Sequence, residues 1–498
     1  MEGGSDAAAL REPLARGDDR GARSDDDLDL LLVESAEEAS ADAGRQPGRS
    51  ADSLWLEGAK LFALTVNYIF GAGVLGVPYA IAHGGIVVSS ITLIVSSGFG
   101  LLAMVWLLEC HERAKAIKGS DSLVEYSEMC RMFLGTRAQR VLEVSLTIYV
   151  ICSSWMYGAI FSVSVGKTLP ITANASQCDL SSVSGPLWNA PHVNCWIDYL
   201  IYLAIFTGIM SVLVRTDIAD MTQIQMGLTA VGLLALFVMV ATVLAAIPED
   251  HIAELDSETI YFNPTGFGGV FGTFIFAQLC HLGVPLLSTI PARKEILRPV
   301  FVGVISTTTS LYLMLGIFCA VFFGVSASAD NPKAVNKLIT LDWQEYTAGQ
   351  FEAGFFAKLI SYFVRLYPAV TVGAAFPLYA ITMGNSWYLT LNGDDGQRAD
   401  SEVPPGKKNR YYIAAMMPSV LLAAFMADIS FMLLFVGVSG FVIAFFLPPL
   451  MQLASCKQYP AYAKTRYSST FSSRPFCFAC LVFASVALVY TFVAQFSG

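Results

Sequence analysis

The chain has 498 residues, of which 55% are hydrophobic and only 14% charged. A soluble globular domain carries about 25% charged residues. The composition excludes a chain of two or three soluble domains. The apolar residues gather in runs long enough to cross a bilayer core of roughly 30 Å as helices.

Residues 1–53 stand apart. They hold 14 acids and 6 bases, a net of −8 against −10 for the whole chain, and no aromatic residue. Such a segment cannot bury enough apolar surface to fold, so a disordered acidic cytosolic tail is expected over 1–53 and a membrane domain over 54–498. The tail lacks the basic start and apolar run of a signal peptide. Asp26-Asp27-Leu28-Asp29-Leu30-Leu31-Leu32 resembles an acidic dileucine signal for clathrin adaptors. That reading keeps a plasma membrane and an endolysosomal or vacuolar membrane both open.

Apolar runs predict eleven spans, at about 58–82, 85–110, 141–169, 197–215, 224–247, 267–290, 299–324, 353–385, 411–427, 429–453 and 476–496. The loops alternate in basic character. The five loops on one side carry 18 Lys and Arg, and the others only Lys333 and Lys337. Basic loops stay inside, which puts the amino terminus in the cytosol and the carboxyl terminus outside or in a lumen. Loop 170–196, on the expected outer side, contains the glycosylation pattern Asn174-Ala-Ser176 together with Cys178 and Cys195. The two cysteines either pair in an oxidising compartment or stay free thiols.

Span one is the most informative. It reads Leu64-Thr-Val-Asn67-Tyr-Ile-Phe-Gly71-Ala72-Gly73-Val74-Leu75-Gly76-Val-Pro78. Glycine disfavours a helix by about 1 kcal/mol relative to alanine and proline by about 3 kcal/mol. Inside a bilayer, freed N–H and C=O groups are tolerated only against protein or a cavity. A discontinuous helix follows, unless the small residues serve close helix packing instead. Span six repeats the feature in Phe276-Ala-Gln278-Leu-Cys280-His281-Leu-Gly283-Val-Pro285. Interruptions in corresponding positions of two halves point to a transporter built from inverted repeats. Free N–H groups at half-helix amino ends suit a carboxylate, and unwound carbonyls suit an ammonium group or a cation. An α-amino acid carries both.

Asn67-x3-Gly71-x-Gly73-x-Leu75-x2-Pro78-x-Ala80, followed by Gly84-Gly85, resembles the first-span signature of the amino acid/auxin permease family. Phe276-x3-Cys280-His281-x3-Pro285 resembles its span six, and Tyr126-x8-Gly135 its inner amphipathic segment. The resemblance covers about residues 55–498. It implies an all-α polytopic membrane protein of the amino acid–polyamine–cation superfamily. Eleven transmembrane helices would form a 5+5 inverted repeat plus one extra helix. It implies secondary active amino acid transport, driven by protons or sodium, with no cofactor beyond the coupling ion. Carried onto this chain, the substrate-binding residues are Gly71, Ala72, Gly73, Val74, Leu75, Gly76, Phe276, Gln278, Cys280 and His281. Asn67 and Thr371 are the ion-coupling candidates, although Asn67 could equally tie the loop to a neighbouring helix. Gly373 and Ala375 stand where sodium-coupled members place hydroxyls, and Thr371 is displaced by two positions, which favours protons or exchange.

Tyr149, Cys152, Ser153 and Tyr157 line span three at near-helical spacing, either as core or beside the site. His281 either titrates or caps broken backbone. Arg365 falls in an outer vestibule or forms an ion pair, and Lys358 snorkels. A sensor or receptor on the same fold is the alternative function. No His-Glu-x-x-His, Gly-x-Ser-x-Gly or Gly-x4-Gly-Lys pattern occurs, so neither an enzyme nor a metal site is expected.

Overall fold

The computed structural model describes residues 51–119, 123–172, 193–215, 218–247, 257–264, 266–325, 334–347, 354–398 and 405–497. The chain divides into Met1–Leu56 and Glu57–Gly498. Of the first unit only the opening of one helix is described, and everything below concerns the second. The acidic tail with Leu31, the sequon at Asn174, and Cys178 lie outside the described residues. Cys195 is buried and does not stand among the free thiols.

The described regular structure is helical throughout, as a bilayer demands of a chain that must satisfy its backbone within each segment. In chain order α1 is Ala51–Ile69, α2 Gly73–Gly84, α3 Ile86–Lys118, α4 Tyr126–Leu134, α5 Thr136–Thr168, α6 Val193–Leu213 and α7 Ile218–Ala246. Then come α8 Gly268–Gln278, α9 Val284–Leu287, α10 Leu297–Phe323, α11 Phe355–Arg398, α12 Pro405–Phe425, α13 Ile429–Gly440, α14 Leu447–Gln458 and α15 Arg474–Ser497. Among the described residues nine helical segments are long and apolar enough to cross a membrane, or ten if the bent pair α1–α2 is one span. The protein is an integral membrane protein. The expected ninth span corresponds to α12, a 21-residue helix that is not one of these ten. Its first turns carry Lys407, Lys408 and Arg410, which lower its apolarity.

Burial separates inner helices from outer ones. The α8–α9 segment is 94% buried, whereas α15 is 28% buried over its apolar window. Phe478, Val482, Val486, Val489 and Val493 form an exposed apolar stripe along α15, spaced as one helix face. Such a stripe suits lipid and not water. Inside, α8 packs against α2 and α13, and α5 packs against α6, α11, α12 and α13.

The expected tenth span, seen as α13 and α14, widens locally. Phe441–Phe446 is π-helical, and the N–H of Leu447 bonds back to Val442 O. Continued in that register, the next donor belongs to Pro448, which has none. The freed Ile443 carbonyl accepts the Tyr126 hydroxyl at 2.6 Å. A proline in one helix thereby fixes the amphipathic α4 against the bundle.

Glu109 and Arg113 lie one turn apart on α3, almost wholly buried and 2.7 Å apart. Arg113 also donates to Gln452 Oε1 at 2.6 Å, Ser455 Oγ at 3.1 Å and the carbonyls of Tyr462 and Ala463. Glu109 accepts from Gln452, Ser468 and Ser472. A buried ion pair is tolerable when its remaining donors and acceptors are satisfied in this way. The network straps segment 459–473 across the ends of α3 and α14.

Candidate functional site

Helix α1 stops at Ile69 and α2 starts at Gly73, with the two axes bent by 57°. Between them the ladder is irregular: Gly71 N bonds to Ile69 O at 2.8 Å and Leu75 N to Ala72 O at 3.2 Å. Helix α8 stops at Gln278. Leu279 is extended (φ −80°, ψ 102°), Cys280 lies at φ −121°, ψ 5°, and a 3-10 turn His281–Gly283 leads into α9. Pro285 sits at the restart, where its missing N–H costs nothing. Both expected interruptions are therefore present.

The two breaks meet. A Cβ added to Gly73 would collide with the Ala277 main chain, 2.6 Å from its N atom, and one on Gly283 would lie 2.9 Å from the Tyr68 ring. Gly76 faces the Thr273 methyl at 3.3 Å. Small-residue packing thus applies at Gly73, where no side chain fits between α2 and α8, while Gly76 leaves room for little more than a methyl against Thr273. Gly71 differs, because a Cβ there would run into the Tyr157 hydroxyl.

Aromatic rings close over Gly71. Tyr157 stacks on Tyr379 at 5.8 Å between centroids, and Phe276 lies 6.3 Å from Tyr149 and 6.2 Å from Tyr157. Tyr149 and Tyr379 hydroxyls are 3.3 Å apart. Two tyrosines cap the loosened backbone: Tyr379 donates to Tyr68 O at 3.4 Å and Tyr312 to Ala277 O at 3.2 Å. Among the described residues, the Tyr157 hydroxyl and Ser153 Oγ are buried without a well-aligned partner. A buried polar group left so costs about 1–3 kcal/mol, an arrangement that a bound polar ligand relieves.

The other expected residues fall into distinct places. Ala72, Val74 and Leu75 are buried in the apolar core. Gln278 donates to Thr309 Oγ1 at 2.9 Å. Cys280 Sγ contacts Met104 Sδ at 3.4 Å. His281 Nε2 is 2.9 Å from Gly100 O, and its Nδ1 has no partner among the described residues. Asn67 donates to Gln225 O at 2.7 Å, and Gln225 donates to Ala374 O at 2.7 Å, so one amide chain links α1, α7 and α11. Thr371 donates to Pro368 O of its own helix at 3.0 Å. Cys152 is buried on α5, next in sequence to Ser153. Arg365 donates to Lys167 O at 2.8 Å, where its charge complements the carboxyl end of α5.

Tyr68, Tyr312, Tyr379, Gln225 and Thr309 are functional candidates that the sequence did not single out. The one signal for Gln225 was an amide beginning an apolar run. Tyr379 gave none, since a tyrosine in a span is usually core.

Beside the contact of α2 and α8 a cavity of about 120 Å³ is lined by Gly76, Tyr79, His83, Gly272 and Lys337, among others.

Residues 58–494 match the family described as transmembrane amino acid transporter protein. Among curated proteins, the chain is similar to "Transmembrane protein 104 homolog" of Caenorhabditis elegans. The two are 24% identical over 343 residues, 64% of this chain and 66% of that protein. It is 24% identical to "Transmembrane protein 104" of Homo sapiens over 286 residues, 55% of this chain and 52% of that protein. The Drosophila melanogaster homolog is 23% identical over 281 residues, 53% of this chain and 51% of that protein. The chain spans less than two thirds of the length of these relatives.

Proposed function

Because the chain belongs to the transmembrane amino acid transporter protein family, we propose that it is a secondary active transporter of a neutral or zwitterionic amino acid. The substrate is held at the broken backbone of α1–α2 and α8–α9. The observation that carries this is the convergence of both breaks beneath one aromatic cluster, with the unpartnered Tyr157 hydroxyl against Gly71. Among the described residues, the rings around Gly71 (Tyr149, Tyr157, Phe276 and Tyr379) bring no carboxylate or ammonium group. A zwitterion would therefore be met by main-chain dipoles and hydroxyls, which match both of its charges without a net one.

In this reading spans one to five and six to ten form the inverted repeats, and α15 is the added helix. The 120 Å³ cavity is the vestibule on one side of the site. The packed rings represent a closed state, and alternating access requires them to part. Coupling runs through protons or exchange. Asn67 and Thr371 each donate to a main-chain carbonyl, and Gly373 and Ala375 offer no hydroxyl. The amino terminus faces the cytosol, Asn174 is glycosylated, and Cys178 pairs with Cys195.

The test is binding of a labelled amino-acid panel to purified protein, wild type and Gly71→Val. The reading expects saturable binding of at least one amino acid by wild type and none by the variant. Equal binding by both would move the site elsewhere.

A further inference from the structure

A second cavity, of about 420 Å³, lies where α3 and α9 end and segment 459–473 crosses them. His111, Glu112, Lys115, Ser288, Lys294 and Arg466 line it. None of these residues belongs to the aromatic cluster at the breaks. Its charges are three cations, Lys115, Lys294 and Arg466, against one carboxylate, Glu112. Glu112 is taken up by Arg466 at 2.5 Å. Lys294 donates to the carbonyls of Ser288 at 2.9 Å and Pro291 at 2.7 Å, which keeps its charge at the cavity. Half-buried Lys115 makes no ion pair with any described residue.

His111 adds a specific element. It is 4% exposed, and its Nε2 is buried without a partner among the described residues. Its Nδ1 lies 3.1 Å from Ser288 Oγ. The Ser288 hydroxyl hydrogen is committed to Pro285 O at 2.6 Å. Nδ1 must therefore carry a proton and donate to Ser288, which leaves Nε2 of the neutral ring as a bare acceptor. With the ring neutral, an anion here must bring a proton of its own to meet Nε2. A phosphate group supplies one: its second ionisation lies close to neutral pH, at about 6 in a phosphate ester and higher in inorganic phosphate. Sulfate has no such proton.

We propose that this cavity binds a phosphate-bearing anion together with one proton. That proton bridges a phosphate oxygen and His111 Nε2, while Lys115 and Arg466 meet the remaining oxygens. No bond to phosphorus is made or broken. The groups facing His111 are Glu112 and Lys115 on its own helix, Lys294 beyond α9, and Arg466 and Tyr467 on segment 459–473. Tyr467 donates to Lys294 O at 3.3 Å, which joins segment 459–473 to the stretch that follows α9. The phosphate could be free or part of a membrane lipid. The chemistry is the same, and the two sources separate by experiment.

The test is thermal unfolding of the full chain in detergent, titrated with inorganic phosphate, sulfate, short-chain phosphatidic acid or short-chain phosphatidylcholine. Stabilisation by inorganic phosphate supports the proposal with a soluble source. Stabilisation by phosphatidic acid alone supports it with a lipid source. Binding should be tighter at pH 6 than at pH 8 by about tenfold, since one proton is taken up. Lys115→Gln should weaken it by about tenfold, the size of one charge-assisted hydrogen bond. Lys118→Gln, whose lysine pairs with Glu128 outside the cavity, should leave it unchanged. No stabilisation by either phosphate ligand, sulfate equal to phosphate, or an unaffected Lys115→Gln would each overturn the proposal.

Discussion

The Tyr157 hydroxyl lies directly over Gly71, in the volume where any larger residue would place its Cβ, and makes no well-aligned hydrogen bond to any described residue. A fully buried donor without an acceptor is a standing cost, offset only if a ligand uses it. Tyr157→Phe removes the cost while keeping the ring and its stacking on Tyr379. The variant should be more stable to heat by about 1 kcal/mol and should bind its amino acid more weakly. Paired unfolding and binding measurements check this. A less stable variant would mean that the hydroxyl is satisfied.

Gly73 makes a different point. The sequence alone suggests that Gly73→Leu would fill an open loop and abolish transport in a well-folded protein. The structure instead fills that position with the Ala277 main chain. Even Gly73→Ala must push α2 and α8 apart, at a cost of about 1–3 kcal/mol for overpacking. Both variants should lower the yield of monodisperse protein in fluorescence-detected size exclusion, leucine more than alanine. Wild-type yield for Gly73→Leu would contradict the observed contact.

At the other end of α3, Glu109→Ala would leave the Arg113 guanidinium buried and uncompensated. Breaking such a pair from one side costs about 3–5 kcal/mol. Glu109→Gln keeps an acceptor for Gln452 and the serines and should cost less. Melting temperatures of the two variants should therefore fall in that order, with segment 459–473 becoming protease-sensitive first.

Cys130 lies on α4, outside the spans, and burial with the nearby Glu143 pushes its thiol up to about 12. A pKa raised above the ordinary thiol value means less thiolate at any pH below it, and the thiolate is the reactive form. Maleimide labelling at pH 8 should spare Cys130 in the native protein and reach it after denaturation. Fast native labelling would contradict the burial of this face.

Much of the architecture was legible because a bilayer enforces simple rules. Apolar length marked the spans, and the two glycine–proline interruptions marked the breaks, because few other residues unwind a helix there. The readout failed where a residue's role depends on a partner distant in sequence. Asn67 gave no hint that Gln225 would receive its amide, since 158 positions separate them. The same holds for Tyr379, which reaches Tyr68 O across 311 positions. Gly71 and Gly73 look alike in sequence, yet one faces a tyrosine hydroxyl and the other a neighbouring backbone. The π-helical turn was hidden because Pro448 and Pro449 read equally well as a helix end.

The central claim is that the two breaks together hold an amino acid in transit. Uptake into proteoliposomes, with an amino-acid panel and with proton and sodium gradients imposed separately, tests it most directly. Flux of at least one neutral amino acid should rise with an inward proton gradient or a trans amino acid, and Gly71→Val should abolish it. Absence of flux for every amino acid under every gradient, from protein shown to be folded, would contradict it.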